Sequence, residues 1–116
     1  KIYEIYSKWE NKPTAIVSYN DQIAMWILDP IRELGYNVPD DISIVSFDDS
    51  DYAELSNVKL TSIIHPKEEM GRLAASTLFE LIGKGKKAFN KPVNICVRPE
   101  IKVRNSTKEI ELEEVL

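Results

Sequence analysis

Apolar residues recur along this chain in two alternating rhythms, and the switches between them define its elements. Ile2, Ile5, Tyr6 and Trp9 stand at helical spacing before Asn11-Lys12-Pro13 ends the segment. Thr14 to Tyr19 is a near-continuous apolar run, the pattern of a strand covered on both faces, and it stops at Asn20-Asp21. From Ile23 the positions Ala24, Ile27, Leu28, Ile31 and Leu34 return at intervals of three and four, with Gly35 as the closing glycine. Pro30 sits inside that helix and predicts a kink or break near residues 26 to 30. Val38-Pro39-Asp40-Asp41 is a turn feeding a second β-rich run, Ile42 to Phe47, which ends abruptly at Asp48-Asp49-Ser50-Asp51. Tyr52 to Leu55 is a helical turn, and Lys59 to Ile64 is a third strand that ends at His65-Pro66. A long helix then starts at Pro66, with Glu68 and Glu69 complementing its dipole and Met70, Leu73, Ala74, Thr77, Leu78, Leu81 and Ile82 forming one stripe up to Gly83. Gly83 to Pro92 is a loop, Val93 to Val97 and Glu100 to Arg104 are short strands, and the acidic tail from Ser106 is frayed.

Strands alternating with helices imply an α/β fold, a parallel sheet with flanking helices, whose right-handed crossovers put every strand exit at one edge. Three polar clusters follow three apolar strands, so Asn20-Asp21, Asp48 to Asp51 and His65 are expected to be neighbours. Asn20 and Asp21 are ordinary helix caps in one reading. The three carboxylates of the second cluster repel one another, which favours a cation or hydroxyl donors nearby. Carboxylates and carboxamides suit a polyol, because one carboxylate accepts from two adjacent hydroxyls while an Asn both accepts and donates. The residues alone leave a second reading open, a small phosphoryl-transfer or receiver-like domain holding Mg²⁺ with Asp21, Asp48 and Asp49. Met25 and Trp26 fall off the core stripe of their helix and read as interface residues.

Composition narrows the field. The chain has 116 residues, 43% of them hydrophobic, and a formal charge of −4, so it is one domain at most and carries no basic footprint for nucleic acid. Its one cysteine, Cys96, lies in an apolar strand pattern and reads as a buried, inert thiol. No nucleophile elbow, phosphate-cradling glycine loop or metal-spaced His and Cys set is present, so no catalytic residue, metal or cofactor is implied. Apolar runs are too short for a membrane span, the default compartment is the cytoplasm, and the start at Lys1 suggests a piece of a longer chain.

Several of these motifs stand in one order that resembles a known family. Pro13-Thr14-Ala15-Ile16, Asn20-Asp21-Gln22-Ile23-Ala24, Leu34-Gly35, the stretch Val38 to Asp49, Leu60-Thr61-Ser62-Ile63, Pro66, Met70-Gly71, Pro99-Glu100 and Arg104-Asn105-Ser106-Thr107 are similar to the effector-binding domain of the lactose/galactose-repressor family. Tyr19-Asn20-Asp21-Gln22 and His65-Pro66-Lys67 resemble its arabinose-sensing branch in Gram-positive bacteria, where the sensor follows a winged-helix DNA reader. The resemblance implies the second lobe of a periplasmic-binding-protein-like (type I) sugar-sensing domain over residues 1–107, with helix 66–83 normally part of the other lobe and 108–116 a flexible tail. It also implies a transcriptional repressor controlled by L-arabinose or another monosaccharide, acting as a homodimer and touching DNA only through a separate N-terminal domain. Asn20 and Asp48 match effector-binding positions, His65 falls at the crossing between lobes, and the dimer surface matches Met25, Trp26, Tyr52 and Leu55. Against the family's pattern, the first lobe and the beginning of the second are missing. Pro30 interrupts a helix that is normally continuous, and Trp26 stands where a small residue is usual. The apolar stripe of the helix from Pro66 is therefore expected to pack on its own lobe or on another copy.

Overall fold

The computed structural model describes residues 2–8, 10, 12–85 and 92–110. The elements run α1 (Ile2–Lys8), β1 (Ala15–Val17), α2 (Asp21–Glu33), β2 (Ser43–Phe47), α3 (Asp51–Leu55), β3 (Thr61–Ile64), α4 (Lys67–Lys84) and β4 (Glu100–Lys102). They fall into two units, residues 1–64 with 101–116, and residues 65–100.

In the first unit the strands lie in the order β1-β2-β3-β4. Both β1–β2 and β2–β3 are parallel, in a register that sets Val17 beside Val45 and Val45 beside Thr61. Their carboxyl ends therefore share one edge, as the alternation of strands and helices requires. The core lies where α2 meets the sheet: Ala24, Ile27, Leu28 and Ile31 close on Ile42, Ile44, Ala53, Leu60 and Tyr6. Each such large side chain contributes about 1.5–3 kcal/mol by leaving water. β2 alternates, with Ile44 and Ser46 buried between half-buried neighbours, so one face is sealed and the other only partly covered.

Three sequence expectations change here. β1 is not covered on both faces; it is the edge strand, and Val17 is 73% exposed. α2 does not break at Pro30, because buried Leu28 and Ile31 hold the helix to the core on both sides of the proline, and it continues to Glu33. The chain is not frayed from Ser106, which is fully buried. Its hydroxyl accepts from Thr61 N at 2.8 Å and donates to Ile44 O at 2.5 Å, while its carbonyl accepts from Ile44 N at 2.7 Å. Ser106 thus stitches β2 to β3, and Lys108 adds a bond to the Asp40 carbonyl at 2.7 Å. Residues 111–116, the rest of the expected flexible tail, lie outside the described residues, as does Trp9.

The second unit is built around α4, one residue later at each end than the sequence suggested. Gly85, at φ +72°, caps it by donating to the Ile82 carbonyl at 3.1 Å. No residue of α4 is buried. Its stripe, from Met70 through Leu73 to Leu81, lines an open groove of about 400 Å³ with Val93, Ile95 and Val97. Those three alternate as a strand would, yet residues 92–99 are not part of the sheet, so Val93 to Val97 forms no strand. Cys96, on the opposite side of that alternation, is exposed rather than buried. Most of the expected loop, residues 86–91, lies outside the described residues.

Candidate functional site

The exits of β1 and β2 meet in the first unit, and a buried carboxylate joins them. Asn20 caps α2 by accepting at Oδ1 from Ile23 N at 2.9 Å, so the ordinary capping role is real. Asp21, first residue of α2, is completely buried. Its Oδ1 accepts from the hydroxyls of Ser46 at 2.5 Å and Ser62 at 2.6 Å, and its Oδ2 accepts from Ser50 N at 2.6 Å and Ser50 Oγ at 2.9 Å. Burial pushes the carboxyl pKa up, but bonds from Ser46, Ser62 and Ser50 outweigh it and leave Asp21 below its ordinary value, ionised at neutral pH.

This arrangement shapes the turn after β2. Asp48 and Asp49 have φ of +100° and +46°, a left-handed region that non-glycine residues adopt at a cost of about 1–3 kcal/mol and that clusters at ligand sites. Asp48 is half-buried, and its amide donates to the Ile63 carbonyl at 3.0 Å. Asp49 faces a different partner. Arg104 reaches Asp49 Oδ1 at 2.5 Å through Nη2, Glu54 Oε1 at 3.0 Å through Nε, and the Leu60 carbonyl at 2.8 Å through Nη1. Burial alone would lower the Arg104 pKa, but Asp49 and Glu54 raise it, so the guanidinium stays charged. Arg104, with Lys59 and Lys102, holds Glu54 down at about 2.

The Mg²⁺ reading does not survive this geometry. Asp21 spends both oxygens on four donors, and Asp49 is paired with Arg104. Among the described residues no three His, Cys, Asp or Glu side chains form a metal-holding group. Within the Asp48 to Asp51 cluster, Arg104 offsets the charge of Asp49. His65, directly after β3, opens the second unit and is described with that unit.

Of the proposed interface residues, Trp26 is 61% and Leu55 79% exposed, Tyr52 is also exposed, and Met25 is half-buried. Met25, Trp26 and Leu55 line one surface depression with Asn57. Ser46, Ser50, Ser62 and Arg104 were not singled out by sequence reasoning. The signal was present: Ser46 and Ser62 are polar positions inside otherwise apolar strands, and a buried hydroxyl needs a partner.

A model of the periplasmic binding protein-like domain matches residues 2–107. An arabinose metabolism transcriptional repressor of Geobacillus stearothermophilus is 52% identical over 101 residues, covering 87% of this chain and 27% of the relative. The repressor of the same name from Halalkalibacterium halodurans is 39% identical over 97% of this chain and 31% of its own length. Among solved structures, a transcriptional regulator CelR–cellobiose complex superposes with a TM-score of 0.70 at 31% identity, over 80% of this chain and 28% of that one. A LacI transcriptional regulator from a Rhodococcus species gives 0.72 at 27% identity, over 91% and 37%. The chain thus spans between a quarter and a third of these two curated relatives, both named transcriptional repressors. With the parallel sheet, the exits gathered at one edge and the match over residues 2–107, the chain belongs to the periplasmic binding protein-like domain family, and it is similar to the part of that domain found in these repressors.

Proposed function

We propose that this chain is the effector-sensing and dimerising part of a transcriptional repressor whose hold on DNA is set by a monosaccharide, L-arabinose. The observation that carries the reading is the Asp48 turn, a carboxylate on strained backbone at the edge where parallel strands end. Asn20 and Asp48 are its proposed sugar contacts in the first unit. The polyol chemistry fits: a carboxylate accepts from vicinal hydroxyls, and the Asn20 amide donates while its oxygen caps the helix. The name of the relative at 52% identity supports arabinose over other sugars. DNA contact belongs to a separate domain, consistent with the chain's net charge of −4. Such a repressor works in the cytoplasm, and among the described residues no helix is long and apolar enough to cross a membrane. Met25, Trp26, Tyr52 and Leu55 form the proposed homodimer face, since large apolar side chains in water are stabilised by a symmetric partner.

Calorimetry of L-arabinose binding to the intact repressor tests the assignment. Replacing Asp48 by Ala removes a charged acceptor worth about 1.5–3 kcal/mol, so affinity is expected to fall at least tenfold. Unchanged affinity in Asp48→Ala rejects the site.

A further inference from the structure

Three consecutive amides of the turn after β2 are tied down, each by a different group. Asp48 N donates to the Ile63 carbonyl at 3.0 Å, Asp49 N to the Ser62 hydroxyl at 3.1 Å, and Ser50 N to Asp21 Oδ2 at 2.6 Å. The second and third depend on Asp21, because its Oδ1 takes the Ser62 proton at 2.6 Å and so leaves that oxygen's lone pair facing Asp49. Those bonds help offset the cost of the positive φ values of Asp48 and Asp49, and losing them leaves the turn freer to relax toward ordinary backbone.

We infer that Asp21 is a positioning residue for effector recognition: it holds the Asp48 turn in its left-handed conformation, with Ser46, Ser50 and Ser62 as its donors, and so sets the direction of the Asp48 carboxylate. The inference rests on the reading of Asp48 as a sugar contact. The chemistry requires a carboxylate here. Four donors converge on two oxygens, and an Asn in the same place offers one acceptor oxygen while turning an N–H₂ toward either the Ser50 amide or the Ser46 and Ser62 hydroxyls. A shape-preserving Asp21→Asn change therefore weakens one of the two anchors: toward the Ser50 amide the N–H₂ cannot accept, and toward Ser46 and Ser62 it forces both hydroxyls to turn from charge-assisted donors into acceptors. Placement at the first turn of a 13-residue helix favours the charge as well.

The test is a double-mutant cycle on the intact repressor, with L-arabinose affinity read by calorimetry and folding by thermal melting. Asp21→Asn is expected to weaken binding roughly tenfold, and Ser50→Ala, which keeps the Ser50 amide bond, about threefold. In an Asp48→Asn background both changes should alter affinity by less than about twofold, because a misdirected side chain that no longer binds well has little left to lose. A merely structural Asp21 would weaken both backgrounds equally. Should Asp21→Asn fail to fold, Ser50→Ala decides by the same criterion. Affinities within twofold of wild type for both variants, or losses that multiply with Asp48→Asn, overturn the inference while leaving the sugar site standing. No L-arabinose binding by the wild-type protein overturns the site reading, and this inference with it.

Discussion

The two units of this chain use similar amounts of apolar patterning and reach opposite ends. In the first, the stripe Ala24, Ile27, Leu28 and Ile31 on α2 is buried against β2 and its neighbours. In the second, the stripe on α4 is longer but less sharply segregated from polar positions, and Leu78 is 53% exposed and Met70 and Ile82 are exposed too. The difference lies in the partner as well as in the helix. A stripe at helical spacing states which side of a helix is apolar, and a sheet delivers the burial. α2 lies between consecutive strands that pair with each other, whereas Val93 to Val97 offers α4 a segment outside the sheet.

The sharpest break of this comparison is a pair of truncations read by denaturant unfolding. Ile44→Ala, in the sealed core, is expected to cost about 2–5 kcal/mol through lost transfer and the cavity left behind. Leu78→Ala on α4 is expected to cost under about 1 kcal/mol in the 116-residue chain, since half the side chain is already in water. Equal costs would mean that α4 has found cover.

Legibility from sequence followed the same line. Element existence was readable because periodicity is local: α2, β2, β3 and α4 appear within a residue or two of their expected limits. What depends on distant partners was not. Val17 sits in an apolar run but on the sheet's edge, and Cys96 sits in a strand-like pattern that no ladder closes. Pro30 looked like a breaker by local rules, and packing on both sides of it overrode them. Ser106 looked like the start of a polar tail, whereas 62 residues of chain separate it from Ile44, whose carbonyl it binds. At the site, the order of strands was enough to bring Asn20, Asp21 and Asp48 to one edge. The division of labour among them was not readable, because Asp21's partners Ser46 and Ser62 lie 25 and 41 residues away.

A smaller effect, on the side of the sealed unit, is its response to acid. Asp21 titrates below its ordinary value when folded, so the stability it supplies is complete above that ordinary value, about pH 4, and is lost as pH falls through the lower folded value. Glu54, held at about 2, behaves with the same sign. Thermal melts from pH 7 down to about 4 should therefore keep the Asp21 contribution intact, with its loss confined to more acidic solution. Asp21→Asn has no such charge to lose, and its acid limb below about pH 4 should be shallower than that of wild type. An equally steep limb in Asp21→Asn would show that other groups govern acid unfolding.

The smallest changes in stability come from the exposed apolar side chains of each unit, and there the comparison becomes one of association. Trp26 beside Leu55 on the first unit and Leu78 beside Phe79 on the second are both in water, with Phe79 75% exposed. Placing a charge on such a site removes few contacts, so Trp26→Glu and Leu78→Lys should each leave folding stability of the 116-residue chain within about 0.5 kcal/mol. Their effects on self-association should differ. The proposed homodimer face is the one carrying Trp26, and a glutamate there, repeated across a two-fold axis, sets like charges against each other in a desolvated contact. Sedimentation at micromolar concentration should then show Trp26→Glu shifted toward monomer, in the intact repressor as in the shorter chain. Leu78→Lys should leave the dimer in place and instead reduce binding of an apolar fluorescent dye, because an open apolar groove in the 116-residue chain is what such a dye reports. If Leu78→Lys dissociates the dimer and Trp26→Glu does not, the interface belongs to the second unit, and the assignment of Met25, Trp26, Tyr52 and Leu55 falls.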